Sequence, residues 1–292
     1  MKPAPFKYIA ASSLVEALSL KAEYGEEAHF LAGGQSLIPA MNFRLARPAV
    51  LIDINGLTEL ASIDCSNAQA IRLGALTRYR AMERDPGFPR ACALFADALP
   101  HIAHPQIRNR GTIGGNLCHA DPASELPAVA VAMQARMRVK SLSGERELAA
   151  DDFFVAPLRT DLKAEEMLVE IVLPTAGARS GASFMEVARR RGDFALAGVA
   201  AIVSLDEERR CSGIRLAFCG VGETPVDASH SASSLVGQRC TDRTIAAAAA
   251  DVRRAIAPSG NIHASAGYQR HVAEILTRRA IAMACNRIAH AA

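Results

Sequence analysis

The chain has 292 residues, of which half are apolar and 22% are charged, enough to bury the cores of two domains. Its 33 basic and 30 acidic residues are scattered along the sequence and leave a net charge of +3, so no sustained field of one sign is available to bind nucleic acid or an anionic membrane. The longest apolar stretches, at 126–133 and 244–250, fall well short of the roughly 20 residues that span a membrane.

The first third of the chain alternates a predicted helix with short predicted strands. Ser13 followed three residues later by Glu16 is a capping-box pattern, and apolar residues then recur at helical spacing, which predicts a helix over 14–24. Short apolar runs that end in turn-forming residues predict three strands, over 29–32, 50–54 and 71–76. Thr77 is placed to cap a helix after the third strand.

The rest of the chain divides at a linker. Two alanine-rich helices and two strands are predicted before it, at 90–99, 126–134, 136–142 and 168–173. Residues 174–181 contain Pro, Thr, Gly and Ser but no large apolar side chain, and we place the domain boundary there. Three strands and two helices are predicted beyond it, at 183–187, 199–205, 213–219, 242–256 and 265–289. The pattern predicts an α+β fold whose C-terminal domain is a small three-stranded sheet backed by helices.

The spacing of histidine and cysteine gives no metal-binding motif. The seven cysteines are odd in number and never closer than eight positions, which is typical of free thiols rather than of disulfides or iron–sulfur ligands. His101 and His104 lack a third ligand at a suitable spacing. Residues 1–6 contain no apolar core of signal-peptide length. We therefore expect a cytoplasmic chain that binds neither iron nor another metal.

Two glycine loops, 32–37 and 112–116, carry the candidate chemistry. A Gly-Gly pair after a strand allows positive φ and a close backbone approach, so successive N–H groups can converge on a phosphate, and Ser36 and Thr112 add hydroxyl donors. Two such loops suit a diphosphate better than a single phosphate, and we expect the second loop at the surface of a cleft. Neither G-x-G-x-x-G nor G-x4-G-K-[ST] is present, which favours a nucleotide diphosphate held by backbone amides without a metal. Each loop taken alone is also compatible with a plain turn.

Two longer segments resemble flavin-binding motifs. The segment LAGGQSLIP at 31–39 resembles the first flavin-binding motif of the FAD-binding medium subunits of molybdenum hydroxylases, the family of xanthine dehydrogenase and carbon monoxide dehydrogenase. The segment IRNRGTIGGNL at 107–117 resembles the second flavin-binding motif of the same subunits. The similarity continues through five further segments, at 120–127, 152–154, 166–171, 191–195 and 264–271. The resemblance therefore covers nearly the whole chain, in the order that the family shows.

The resemblance implies a fold and a set of cofactor contacts. Residues 1–176 would form a FAD-binding domain of the vanillyl-alcohol-oxidase (PCMH) type, with lobes at about 1–56 and 57–176, and residues 182–292 the family's C-terminal flavoprotein domain. The implied FAD contacts are Ala32, Gly33, Gly34, Gln35, Ser36, Leu37, Ile38, Pro39, Thr112, Ile113, Gly114, Gly115, Asn116, Glu125 and Leu168. The alternative for Glu125 is a surface carboxylate near a helix start, and for Leu168 an ordinary core residue of a strand.

The resemblance also implies a function. The chain would hold FAD noncovalently and transfer electrons from a partner's iron–sulfur clusters to NAD, quinone, oxygen or another acceptor, and we nominate no acid, base or nucleophile. The implied partners are a large subunit with the molybdenum cofactor and a small [2Fe-2S] subunit, arranged as a dimer of heterotrimers. Two alternatives are a stand-alone FAD-dependent oxidoreductase of the same fold and a flavin-free interaction subunit. The short segment after the linker opposes the first, and the intact glycine loops oppose the second.

Overall fold

The computed structural model describes residues 2–291, and its first lobe is a three-stranded parallel sheet with two helices. Its elements are β1 (Lys7–Ala10), α1 (Leu14–Tyr24), β2 (Ala28–Leu31), α2 (Leu37–Asn42) and β3 (Val50–Asp53). Helix α1 begins as predicted, because the Ser13 hydroxyl accepts a hydrogen bond from the Glu16 N–H at 3.1 Å. Strand β3 lies between β1 and β2, so the carboxyl ends of β2 and β3 meet at one edge of the sheet.

The second lobe is built on a five-stranded antiparallel sheet of order β4-β5-β10-β6-β7. Its elements are β4 (Ile63–Asp64), β5 (Ala70–Gly74), α3 (Tyr79–Arg84), α4 (Phe88–Ala91), α5 (Ala93–Ala98), α6 (Pro105–Arg108), α7 (Ile113–His119), α8 (Glu125–Ala132), β6 (Arg136–Ser141), β7 (Gly144–Ala149), α9 (Ala150–Phe153), β8 (Phe154–Ala156), β9 (Arg159–Thr160) and β10 (Met167–Pro174). Strands β8 and β9 form a separate hairpin. Every residue of α8 is buried, as expected for a helix that is apolar on all sides.

The C-terminal region is a four-stranded antiparallel sheet covered by two helices. Its elements are β11 (Ser180–Ala188), β12 (Ala195–Leu205), β13 (Cys211–Cys219), β14 (Val226–Asp227), α10 (Asp242–Ala255) and α11 (Ala266–Ala291). A capping box between Thr241 and Thr244 starts α10. The two residues of β14 add a short strand to the predicted three, since a run of that length carries no alternation for the sequence to reveal.

The helices of the second lobe lie between two sheets. Helices α5 and α8 contact the C-terminal sheet, whose other side packs against α11. Successive side chains of β12 lie on opposite faces of the C-terminal sheet. Ala200 belongs to the hydrophobic cluster of the second lobe, whereas its neighbours Val199 and Ala201 pack with α10 and α11. Arg287 of α11 reinforces this junction by binding both carboxylate oxygens of Asp97 at 2.6 and 3.0 Å.

The structure confirms the predicted α+β class and corrects two local predictions. Thr77 does not cap a helix. It is fully buried, its hydroxyl donates to the Ser62 carbonyl at 2.9 Å, and α3 begins after Arg78 without a side-chain cap. The predicted linker is also shorter, because β10 continues to Pro174 and β11 begins at Ser180. Within residues 2–291, no helix is long and apolar enough to cross a membrane.

Candidate flavin-binding site

A cleft of about 390 Å³ opens at the carboxyl edge of the parallel sheet. The first motif, residues 31–39, supplies most of its wall, and Gly34 in that motif has φ +72°, a conformation that favours glycine. In the described part of the chain, none of the backbone N–H groups from Gly33 to Leu37 donates a hydrogen bond to another group. A run of unused N–H donors beside a cleft suits an anionic ligand such as a diphosphate.

The cleft brings together part of the predicted site and adds residues that the sequence analysis missed. Its walls contain Leu31, Ala32, Gly33, Gly34, Gln35, Ile38 and Pro39 from the first motif, and also Asn42, Asp53, Asn55 and Arg110. Ser36 and Leu37 belong to the same loop without lining the cleft. Because β2 and β3 are parallel neighbours, their carboxyl ends lie at the same edge of the sheet. Asp53 and Asn55, at and just after the end of β3, therefore lie beside the first loop, which follows β2.

The two predicted loops contact each other directly. A Cβ added to Gly33 would lie 2.5 Å from the Arg110 carbonyl oxygen and 2.9 Å from the Gly111 Cα, distances that real Cβ atoms do not adopt. The absence of a side chain at Gly33 therefore lets the segment that precedes the second motif reach the first loop. This approach places Arg110 in the wall of the cleft.

Asn55 holds the first loop in place. Its side-chain amide donates to the Ala32 carbonyl at 2.8 Å and to the Leu31 carbonyl at 3.2 Å. Its side-chain oxygen accepts a hydrogen bond from the Arg78 guanidinium, which also donates to the Arg110 carbonyl. Asn55 and Arg78 are thus positioning residues that fix the first loop and the Arg110 backbone relative to each other.

Two charged side chains line the cleft, Asp53 and Arg110, and the Arg110 guanidinium is available to bind an anionic ligand. Burial raises the pKa of Asp53, but hydrogen bonds from Tyr8 and Asn55, together with the nearby Arg110 charge, outweigh it and hold the pKa below the ordinary value. Asp53 is therefore ionised at neutral pH. The Arg110 side chain forms neither a hydrogen bond nor an ion pair with another residue between 2 and 291. Its guanidinium can thus bind a diphosphate together with the free N–H groups.

The second motif has a different local role from the first. The expected positive φ is wrong for it: Gly114 and Gly115 lie inside α7, and neither has a left-handed conformation. The four N–H groups from Ile113 to Asn116 all donate within the protein, to Thr77 O, Ala75 O, Thr112 Oγ1 and Thr112 O. Gly114 faces Ala75, where an added Cβ would lie 2.6 Å from both the Ala75 Cβ and its carbonyl oxygen. A Cβ added to Gly115 would lie 3.9 Å from the Ala32 Cβ, so this motif packs next to the first loop. Contact of Thr112 to Asn116 with FAD stays a prediction.

Glu125 and Leu168 are both buried in the described structure. Glu125 is 5% exposed, so the alternative of a surface carboxylate is wrong. Burial, and next the charge of Glu186, raises the pKa of Glu125 to about 8, so this carboxyl is protonated at neutral pH. Leu168 lies in β10, 4% exposed, within the hydrophobic cluster of the second lobe. Contact of either residue with FAD stays a prediction.

The two histidines considered as metal ligands have other surroundings. His101 Nδ1 lies 3.1 Å from Glu186 Oε1, and His104 packs against Gly192. Between residues 2 and 291, no three His, Cys, Asp or Glu residues are grouped so that they could hold a metal ion. The seven cysteines are unpaired in the structure.

Replacing Arg110 by glutamine should weaken FAD binding about tenfold, because a hydrogen bond to a charged group contributes roughly 1.5–3 kcal/mol. The loss should shrink at high salt, since the guanidinium is exposed to solvent screening. Fluorescence titration of FAD into the apo proteins measures the effect. Arg136→Gln, which removes an exposed arginine of a surface ion pair, is the matched control. Equal FAD affinity in wild type and Arg110→Gln would remove Arg110 from the site.

Comparison with known proteins identifies the family of both regions of the chain. Residues 4–176 match the family described as "FAD binding domain in molybdopterin dehydrogenase", and residues 182–284 match the family described as "CO dehydrogenase flavoprotein C-terminal domain". The first of these matches identifies the N-terminal region as a FAD-binding domain.

Relatives that match over nearly their full length show which FAD-binding proteins this chain resembles. The chain is 40% identical to the 6-hydroxypseudooxynicotine dehydrogenase complex subunit alpha of Paenarthrobacter nicotinovorans, over 98% of this chain and 97% of the relative. It is also 40% identical to the caffeine dehydrogenase subunit beta of Pseudomonas sp. strain CBB1, over 99% and 98%. A carbon monoxide dehydrogenase structure from Hydrogenophaga pseudoflava matches with a TM-score of 0.94 and 34% identity, over 98% of this chain and 99% of that chain. The chain belongs to the family of FAD-binding medium subunits of molybdenum hydroxylases, which are oxidoreductases.

Proposed function

We propose that this chain binds one FAD in the cleft beside the first glycine loop and transfers electrons between a partner's iron–sulfur clusters and an external acceptor. The observation that carries the proposal is the run of N–H groups from Gly33 to Leu37 that have no acceptor among the described residues, in a loop whose Gly33, Gly34 and Gln35 line a cleft together with Arg110. When bound, FAD supplies the redox chemistry, since its isoalloxazine ring accepts electrons singly or in pairs. The role of the protein is to bind and orient it.

We assign different parts of FAD to different residues of the chain. In the proposal, the first motif, Ala32 to Pro39, binds the diphosphate and the adjoining ribityl chain, and Arg110 neutralises part of the phosphate charge. Residues Thr112 to Asn116, whose N–H groups from Ile113 to Asn116 already donate within the protein, pack next to that loop at Gly115, and their contact with FAD stays a prediction. Glu125 and Leu168 are proposed as contacts to the rest of the cofactor.

The proposed partners follow from the relatives, which are named as subunits of complexes. We propose a large subunit that carries the molybdenum cofactor and a small [2Fe-2S] subunit, assembled as a dimer of heterotrimers. Oxidation of the organic substrate would take place in the large subunit. The electron acceptor would be NAD, quinone, oxygen or another carrier. A cytoplasmic location stays a prediction.

The purified chain tests this proposal. After reconstitution with FAD, we expect one flavin per polypeptide, released into the supernatant by acid precipitation, and no stoichiometric iron or molybdenum by metal analysis. Dithionite should bleach the flavin, whereas aldehydes and purines should not, because the substrate pocket would lie in a partner. Rapid anaerobic bleaching by an organic substrate without partner subunits would point to a stand-alone oxidoreductase. Failure to retain any flavin would reject the proposal.

A further inference from the structure

Asp53 is a carboxylate in the wall of the cleft, beside the first glycine loop. It is the last residue of β3 and lies directly opposite Leu31, the last residue of the parallel strand β2. Neighbouring strands are about 4.8 Å apart, so Asp53 lies next to the loop that begins at Ala32. A diphosphate held by the N–H groups of that loop therefore has Asp53 as a neighbour in the same cleft.

The Asp53 carboxylate is ionised and can accept a further hydrogen bond. Its Oδ1 accepts from the Asn55 N–H at 2.8 Å and from the Asn55 side-chain amide at 2.6 Å, and its Oδ2 accepts from the Tyr8 hydroxyl at 2.5 Å. Burial raises the pKa of Asp53, but these hydrogen bonds outweigh burial and keep the group ionised at neutral pH. An ionised carboxylate has about four acceptor positions, and residues 2–291 occupy three of them, so Oδ2 retains one for a ligand.

The negative charge of Asp53 suits a different part of the ligand from the phosphates. Two anions repel each other, so Asp53 opposes a phosphate at its own position in the cleft. The hydroxyl groups of a sugar are the donors that a nucleotide carries next to its phosphates, and a charged acceptor makes such a hydrogen bond about twice as strong. In the Rossmann fold, an acid that follows the phosphate-binding glycine loop of a parallel sheet binds a ribose hydroxyl in this way. Asp53 is therefore suited to a sugar hydroxyl.

FAD offers this donor on either side of its diphosphate. The ribose of the adenosine half and the ribityl chain of the flavin half both carry hydroxyl groups. Either sugar can lie against Asp53 while the diphosphate stays at the first loop. The chemistry that Asp53 recognises is the same in both cases, and analogues that lack single hydroxyl groups distinguish the two sugars.

We propose that Asp53 accepts a hydrogen bond from a sugar hydroxyl of FAD, so that the cleft recognises a sugar as well as a diphosphate, and that Tyr8 positions the carboxylate for this contact. The inference rests on the proposed function. Tyr8 lies on β1, which pairs with β3 on the side opposite to β2, and its hydroxyl therefore reaches Oδ2 from the side away from the first loop. Asn55 has a separate task, since it holds the Ala32 carbonyl of that loop.

Fluorescence titration of the apo protein with FAD, and with FAD analogues that each lack one hydroxyl of the ribose or of the ribityl chain, tests the proposal. Wild type should bind one of these analogues about tenfold more weakly than FAD, the loss typical of a hydrogen bond to a charged group, and that analogue identifies the sugar. Asp53→Asn offers a neutral acceptor at the same place. It should reduce this ratio of affinities to about threefold, because a charge-assisted hydrogen bond is roughly twice as strong as a neutral one.

Two control variants separate this contact from a structural role. Asp64 also ends a strand, and its Oδ1 accepts the N–H of Ser66 at 2.9 Å, but it does not line the cleft. Asp64→Asn should therefore keep the wild-type ratio. Asn55→Ala should weaken binding of FAD and of every analogue by the same factor, since it disturbs the first loop without removing the sugar contact.

Tyr8→Phe gives a second test that keeps the charge of Asp53. Tyr8 is 54% exposed, so this variant should fold even if circular dichroism shows that Asp53→Asn does not. It should lower the ratio to a value between those of wild type and Asp53→Asn, because Asn55 alone then holds the carboxylate. A wild-type ratio in Tyr8→Phe would remove Tyr8 from the proposal.

Equal affinity of wild type for FAD and for all the analogues would overturn the sugar contact, and this comparison needs no variant. An unchanged ratio in Asp53→Asn would overturn it as well, because the hydroxyl would then bind another group. Both results leave the proposed function intact. Failure of wild type to bind FAD itself would instead reject the proposed function.

Discussion

Gly33→Ala should weaken FAD binding at least about a hundredfold while leaving the protein folded. The added methyl group would lie 2.5 Å from the Arg110 carbonyl oxygen and 2.9 Å from the Gly111 Cα. Both obstacles are backbone atoms, so the first loop itself must move. Its free N–H groups would then lose their alignment, and losing two hydrogen bonds to a charged ligand costs roughly 1.5–3 kcal/mol each.

Gly56→Ala is the matched control for this change. Gly56 follows Asn55 in the turn after β3, and an added Cβ there would meet only the Ala11 carbonyl oxygen, at an ordinary 3.8 Å. We expect its FAD affinity to equal that of wild type. FAD titration of the apo variants, with circular dichroism to check the fold, measures both. If Gly33→Ala binds FAD as tightly as Gly56→Ala, the first loop does not hold the diphosphate.

The first loop was found from the sequence because its signal is local. A short apolar run that ends in Gly-Gly indicates a strand followed by a loop that can approach a ligand closely, and the structure has β2 at this place, followed by a loop that lines a cleft. Asn55 was missed because the Asn-Gly pair indicates only a turn, whereas the Asn55 side-chain amide reaches Ala32, which lies 23 residues earlier in the sequence. The carboxyl ends of parallel strands meet at one edge, so a prediction that β2 and β3 are parallel neighbours would have found it.

The sequence analysis assigned the wrong local conformation to the second motif. Its glycines suggested open loop backbone, whereas Thr112 caps a short helix and the following N–H groups are already bonded. The long-range contact with Ala75 decides this, and no local pattern reveals it. The burial of Glu125, in contrast, was accessible from the sequence. A helix that is apolar on every side is buried on every side, and Glu125 is its first residue.

Gly114→Val should destabilise the apo protein by about 3 kcal/mol, contrary to the expectation that a surface loop would tolerate the change. The new Cβ would lie 2.6 Å from the Ala75 carbonyl oxygen, which accepts the Gly114 N–H at 2.8 Å. A clash with backbone inside a packed core costs typically about 1–3 kcal/mol, and the hydrogen bond to Ala75 would be strained as well. Weaker FAD binding would then follow from local unfolding rather than from a lost phosphate contact.

Gly115→Val should destabilise the apo protein less than Gly114→Val does. Its Cβ would lie 2.8 Å from Thr112 Oγ1, a side-chain atom, so the main expected loss is the helix cap, at about 1 kcal/mol. Urea unfolding of the apo proteins, followed by circular dichroism, should therefore rank wild type above Gly115→Val and Gly115→Val above Gly114→Val. Saturating FAD should restore part of the stability of each variant that still binds it. Wild-type unfolding free energy in Gly114→Val would mean that the Ala75 contact does not constrain the fold, and the second motif would again be a candidate for direct contact with the diphosphate.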